Sequence, residues 1–414
     1  MRKTSEDIKN LIKTKLETSD IILFGMNTLA KEFYMNYKDV YHIKSCVTSK
    51  KVHPVYLDEN KEMPVITWEE YDKKATDYLV ICEGPYVFIE NQILTDASKI
   101  FEEYVDIDIV RAVLTQRKIV IMAGACQTVV AYDFLSELKG FKKEYMLYKF
   151  STHMWRSKWS VRIISYVKNV CDVYICMRHE LDNPKFFKPE ELPENCKIIT
   201  LPSALLRLYW PQMGRNWKGA LNSYFKKDTE NLFHGPFEYG DENINRMIEE
   251  RKNVDEIIEC LVREDFYSKT EVEQHVKTMF RMLEYEENEC DIKIGNYIRD
   301  NYKEKMLYRD MAHMHTCLVC NLVREILRYL HIDTDELDEM ERLDNNETIQ
   351  EYQVHCTEVP VYPSVAVHMG LKWWNKDMVY DVKFYNGLKK MTFEEYIRSY
   401  YSVCSKTKQL LEEW

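Results

Sequence analysis

A run of mostly apolar residues, Lys118-Ile119-Val120-Ile121-Met122-Ala123, ends in Gly124-Ala125-Cys126-Gln127. The pattern predicts a buried strand over 118–124 that stops at a small-residue turn, with a thiol and a carboxamide at its tip. In parallel α/β sheets, groups just past the carboxyl end of a strand face the crevice where ligands bind. The next residues, Thr128-Val129-Val130-Ala131-Tyr132, are compatible with a helix, so Cys126 falls at an expected helix start. The helix dipole there favours a thiolate or an incoming anion. A buried cysteine packed beside a turn is the plainer reading of the same residues.

A second cluster lies late in the chain. Arg309-Asp310-Met311-Ala312-His313-Met314-His315-Thr316 precedes an apolar helix marked by Val319, Leu322, Val323, Ile326 and Leu330. A histidine at such a helix start can act as a general base near neutral pH. His313, His315, Cys317 and Cys320 also read as a set of metal ligands. Both cysteines, however, fall inside the amphipathic helix, and no second ligand pair stands at a zinc-type spacing. No metal is expected.

Two basic, aromatic stretches could serve a phosphate-bearing ligand. One holds Trp155, Arg156, Lys158, Trp159 and Arg162; the other holds Arg215, Trp217 and Lys218. Arginine and lysine supply phosphate contacts, and tryptophan faces stack on a base or a sugar. Solvated surface around a packed tryptophan is the alternative. Asp333, Asp335 and Asp338 do not make a calcium loop, because the glycine and final glutamate fall at the wrong places.

The elements that must position these groups alternate as in an α/β protein. A helix over 4–17, a strand at 21–24, the Gly25 turn with a first helix, and strands near 43–47 and 78–82 make a small Rossmann-like domain over 1–112. Only the first glycine of a G-x-G-x-x-G pattern is present, with Asn27 and Ala30 at the other places. The strand after the helix ends in Cys46-Val47-Thr48, without an acidic residue to hold a ribose. Nucleotide binding and a degenerate scaffold or interaction domain both stay open. Residues 113–414 then form a second α/β domain with a large helical portion. It opens with a helix at 107–117 and the strand at 118–124, continues with strands near 173–176 and 197–200, and turns helical from about 241. Asp241 and Asn253 are expected caps. The acidic stretch 333–347 reads as a solvated connector.

The chain has 414 residues, 45% hydrophobic and 30% charged, with a formal net charge of -11. That balance argues against general nucleic-acid binding but leaves room for a small anion in a local basic pocket. No apolar h-region follows the charged amino terminus, and no run of about 18 apolar residues occurs, so neither a secretory signal nor a membrane span is expected. Cys46, Cys82, Cys171, Cys176 and Cys260 read as small core hydrophobes of a reducing cytoplasm.

Taken in order, several segments resemble the WcbI family of bacterial capsular-polysaccharide biosynthesis enzymes. Gly124-Ala125-Cys126-Gln127 is similar to the family's Gly-Asn-Cys-Gln after a strand. Leu201-Pro202-Ser203, Tyr209-Trp210-Pro211-Gln212, Phe237 to Ile244, Leu283 to Ile298 with Asp291, the His313 segment, and Val359 to Ala366 ahead of Gly370-Leu371 follow in the family's order. The resemblance covers roughly 115–375 and leaves the first domain outside. Ala125 stands where the family has asparagine, which removes a side-chain amide donor. Met314 stands where proline is expected, and His315 where a small hydroxyl residue is common.

The resemblance implies a coenzyme-A-binding protein that transfers an acetyl group from acetyl-CoA to a glycan or sugar-precursor acceptor. It also implies a homo-oligomer or a glycan-assembly complex as the setting. Under it, His313 is the base, and the Cys126 and Gln127 amides with the Gln127 side chain hold the oxyanion beside Gly124. Arg156, Lys158, Arg215 and Lys218 are the phosphate contacts. A thioesterase or esterase, and a non-catalytic scaffold protein, are the alternatives.

Overall fold

The computed structural model describes residues 3–48, 56–58, 61–72, 74, 76–82, 104–151, 167–182, 187–215, 237, 239–342, 357–384 and 387–412. The chain falls into two compact units, Met1–Tyr132 with Lys139–Ile199, and Asp133–Leu138 with Thr200–Trp414.

The first unit opens with α1 (Ser5–Thr18), started by a reciprocal capping box between Thr4 and Asp7. Strands β1 (Ile21–Phe24), β2 (Ile43–Thr48), β3 (Val65–Thr67), β4 (Tyr78–Ile81) and β5 (Tyr104–Asp106) pair in the order β3-β2-β1-β4-β5, all parallel. This is a Rossmann-like sheet. Every residue of β1 and β4 is buried, as unbroken apolar strands require when helices cover both faces. Helix α2 (Thr28–Tyr37) follows β1, and α3 (Ile107–Leu114) follows β5. The sequence pattern carried the latter helix to 117. It stops earlier because Gln116 turns left-handed, at φ 57°, and the Arg117 N–H closes the end on Ala112 O.

The same unit holds a second sheet. Strands β6 (Lys118–Gly124), β7 (Tyr145–Ser151), β8 (Val173–Met177) and β9 (Lys197–Leu201) lie in the order β7-β6-β8-β9, with β6 parallel to both neighbours. Helices α4 (Cys126–Glu137) and α5 (Lys139–Glu144) connect β6 to β7. Ile119, Ile121 and Ala123 of β6 join one apolar core with Val80, Val105, Ile109 and Val110. Asp172 reinforces that junction. Its carboxylate accepts from Ser5 Oγ at 2.6 Å, Lys9 Nζ at 2.5 Å and the Ile119 N–H at 2.7 Å. Helix α1 is thereby tied to the start of the second sheet.

The second unit is mainly helical, as the sequence pattern from 241 onward indicates. It contains the short antiparallel pair β10 (Met213–Arg215) and β11 (Tyr239–Asp241), then α6 (Glu242–Glu249), α7 (Val254–Leu261), α8 (Lys269–Glu287), α9 (Gly295–Asn301) and α10 (Thr316–Tyr329). Helices α11 (Asp335–Arg342) and α12 (Pro363–Met369), the hairpin β12 (Val379–Phe384) and β13 (Gly387–Thr392), and α13 (Phe393–Glu412) complete it. Asp241 and Asn253 cap α6 and α7 through the Ile244 and the Asp255 and Glu256 N–H groups. Asp291 locks onto Thr200, accepting from its N–H at 2.8 Å and its hydroxyl at 2.7 Å. Trp210 is fully buried and donates its indole N–H to Val359 O at 3.0 Å.

The acidic stretch departs from its reading as a connector. Residues 335–342 are a helix because Leu337 and Met340 share a buried face, while Arg324 of α10 pairs with Asp338 at 2.7 Å and Glu341 at 2.6 Å. Among the cysteines read as core, Cys46, Cys82, Cys171 and Cys176 are fully buried, but Cys260 is only half-buried on α7. No helix among the described residues is long and apolar enough to cross a membrane.

Candidate active site

The first cluster is built in the first unit at the carboxyl end of β6. The strand stops at Gly124, and α4 starts at Cys126 with Ala125 O accepting from the Thr128 and Val129 N–H groups, each at 3.1 Å. Cys126 and Gln127 therefore occupy the first helical turn, where backbone N–H groups have no partner within the helix. Cys126 is half-buried, and Gln127 and Thr128 are buried. Gly124 is required by close approach. A Cβ on it would lie 2.3 Å from Thr128 Oγ1 and 2.7 Å from Glu180 Oε2, at a φ of 156°.

Glu180 is the site residue that sequence reasoning missed. It sits in the turn after β8, the parallel neighbour of β6, so the register delivers both strand ends to one place. Its carboxylate accepts from the Met177 N–H at 3.2 Å and from the Ala125 N–H. Burial pushes its pKa up to about 7, opposed by those two amides. The available signal was a second apolar strand, Val173–Met177, ending in a charged turn.

A raised folded-state pKa means the folded protein favours neutral Glu180. Its contribution to stability is full below about pH 4.5 and is lost as the pH rises through about 7. Glu180→Gln is expected to flatten the stability profile across that window, by on the order of 3 kcal/mol between its ends. Urea unfolding midpoints at pH 4.5, 6 and 8 check this; parallel profiles for the two proteins would contradict it.

The second cluster lies in the second unit, ahead of α10. Tyr308 and Met314 form an antiparallel bridge, with the Arg309 N–H donating to His313 O at 2.9 Å. Asp310 occupies the bend between them. One carboxylate oxygen accepts from the Ala312 and His313 N–H groups at 2.7 and 2.8 Å, and the other lies 2.7 Å from His313 Nδ1. In the tautomer that donates from Nδ1 to this carboxylate, Nε2 is the nitrogen that accepts. The Asp310 side chain is 5% exposed and that of His313 16%, which leaves the ring reachable. Arg309, also buried, pairs with Glu358 at 3.5 Å.

His315 is a different kind of group. It caps α10 in position only, and burial together with the charge of Arg309 pushes its pKa down to about 4. It stays neutral at physiological pH. Burial also raises the Cys317 and Cys320 thiols, to about 11 and about 12, so both stay protonated. Among the described residues no group of three or more His, Cys, Asp or Glu is arranged to hold a metal ion.

Of the phosphate candidates, Arg156, Lys158 and Lys218 lie outside the described residues. Arg215 ends β10, in register with Tyr239 of β11. In the Rossmann-like sheet, Gly25 takes a φ of 102° at the turn after β1. Asn27 caps α2 itself, accepting from the Ala30 N–H at 3.0 Å and donating to Cys82 O at 2.7 Å. Its side chain satisfies a helix-start amide to which a phosphate would otherwise bind.

Residues 188–335 match the family model described as "Polysaccharide biosynthesis enzyme WcbI". A solved structure of WcbI, described as a novel polysaccharide biosynthesis enzyme, aligns with a TM-score of 0.54 over 70% of this chain and 91% of that one. The chain is WcbI-like. At 15% identity the structural likeness shows the shared α/β fold. That solved structure is described as the native protein without a disulfide bond between CoA and one of its cysteines. No curated protein matches the chain. The WcbI-matching segment contains Asp291, Asp310 and His313 and begins after the Cys126 turn.

Proposed function

We propose that this WcbI-like chain is a CoA-dependent acetyltransferase that modifies a sugar hydroxyl in surface-polysaccharide biosynthesis, within the cytoplasm. The observation that carries the reading is the Asp310–His313 pair inside the WcbI-matching segment, in which a buried carboxylate orients the imidazole. The CoA named with the solved WcbI structure supports the choice of acyl donor. We assign the chemistry to residues 113–414 and treat 1–112 as an attached module.

In the proposed reaction His313 Nε2 takes the proton of the acceptor hydroxyl as its oxygen attacks the thioester carbonyl. The oxyanion of the tetrahedral intermediate needs N–H donors, the role that the WcbI resemblance implies for the Cys126 and Gln127 amides and the Gln127 side chain. Collapse breaks the carbon–sulfur bond, and the imidazolium returns its proton to the CoA thiolate. Arg156, Lys158, Arg215 and Lys218 bind the CoA phosphates.

Thermal denaturation with CoA tests the ligand before any acceptor is known. Saturation at about 100 times the Kd stabilises the folded state by about 2.7 kcal/mol, which raises the Tm by several degrees. An unchanged Tm at millimolar CoA would point to a scaffold protein. Release of free CoA from acetyl-CoA without an acceptor would mark a hydrolase instead.

Cys126 divides two versions of the mechanism. If the turn acts only through its amides, Cys126→Ser retains most of the activity, and intact-mass spectrometry after acetyl-CoA finds no added acetyl group. If the thiol carries the acetyl group, the same variant loses nearly all activity and the wild type gains one acetyl mass. We expect the first outcome.

A further inference from the structure

Two thiols outside the candidate site lie against each other in the first unit. Cys171 stands just before β8 and Cys196 directly before β9, and their sulfurs are 3.7 Å apart. The two strands are neighbours in the sheet, and the Lys197 N–H donates to Asp172 O at 2.9 Å. Backbone pairing thus holds the cysteines side by side. Paired strands run about 4.7–4.9 Å apart, within the Cα separation of about 4.4–6.8 Å that a disulfide spans.

The pair is chemically unequal. Cys171 is fully buried, and its thiol donates to Val173 O at 3.1 Å. Cys196 is half-buried and reachable from solvent. Burial, reinforced by Cys196 beside it, holds the Cys171 thiol well above the usual range, so Cys196, the more exposed sulfur, is the one that meets an oxidant from solution first.

We propose that Cys171 and Cys196 form a reversible dithiol/disulfide pair oxidised by peroxide. The Cys196 thiolate attacks one peroxide oxygen, the O–O bond breaks, and the leaving hydroxide is protonated to water, giving Cys196 sulfenic acid. The Cys171 sulfur then attacks Cys196 Sγ. The S–O bond breaks, and the Cys171 proton leaves with the hydroxide as a second water. Two thiols and one peroxide become one disulfide and two waters. The bond closes residues 172–195 into a covalent loop, which contains Asp172, the anchor of α1, and Glu180 at the β6 turn.

The test uses the full chain, reduced, freed of reductant and treated with hydrogen peroxide, then alkylated and digested without reductant. The expected product is a linked peptide pair carrying Cys171 and Cys196, two hydrogens lighter than the separate peptides and parted by dithiothreitol. Cys196→Ser is expected to leave Cys171 as an alkylatable thiol after unfolding. Cys171→Ala is expected to leave Cys196 as a sulfenic acid that a dimedone probe captures. Recovery of Cys171 as a free thiol from the peroxide-treated wild type would overturn the proposal. So would pairing of Cys196 with any other cysteine.

Discussion

His313→Ala is expected to slow acetyl transfer by about 10²–10⁴-fold, the usual contribution of a positioned general base. The CoA-induced shift should stay near wild type, while the Tm falls modestly because one oxygen of the buried Asp310 carboxylate loses its partner. Asp310→Asn is the sharper companion. Its retained Oδ1 can still accept from the Ala312 and His313 N–H groups, so the bend survives. The new amide, however, faces His313 Nδ1 with N–H donors. The imidazole must then accept at Nδ1 and carry its proton on Nε2, the atom that has to act as the base. The rate should fall almost as far as in His313→Ala, with KM for acetyl-CoA unchanged. Full activity in Asp310→Asn would exclude His313 as the base oriented by this carboxylate.

Gly124→Ala should carry the largest stability effect among single methyl additions at the β6 turn. The new Cβ would sit 2.3 Å from Thr128 Oγ1, 3.0 Å from Thr128 Cβ and 2.7 Å from Glu180 Oε2. These neighbours have little room, since Thr128 and Glu180 are both buried and Glu180 is fastened to two backbone amides. Overpacking of this kind costs about 1–3 kcal/mol, and the φ of 156° adds strain for a residue with a side chain. A total near 3 kcal/mol is expected from urea unfolding. Thr128→Ala removes the nearest oxygen, so the double variant should recover part of the loss, and a double-mutant cycle should give a coupling of about 1 kcal/mol. Equal stability of Gly124→Ala and wild type would contradict the close packing of the turn.

Much of the frame was legible in the sequence because it is written in local pattern. The apolar run at 118–124 and the small residues after it gave both the strand and the helix start at Cys126. Asp241 and Asn253 read correctly as caps, since a cap bonds within three residues of itself. The Asp310–His313 pair was also within reach, as an acidic residue three positions ahead of a histidine at a helix start. The pattern of apolar residues alone gave it no weight. The acidic stretch 335–342 misled because charge dominates its composition, while two buried side chains and Arg324 on another helix decide its conformation.

The sequence by itself determined the α/β class, the strand that ends at Gly124 just ahead of Cys126, and the helix that follows His313. Tertiary structure alone decided that Glu180 reaches the Gly124 turn, that Asp172 fastens α1 to the second sheet, and that Cys171 touches Cys196. It also separated His313, bonded to Asp310, from His315, whose pKa burial and Arg309 hold down to about 4. The reason is one of range. Periodicity and capping act between residues a few positions apart, whereas strand order and burial set which distant side chains meet and what charge they keep.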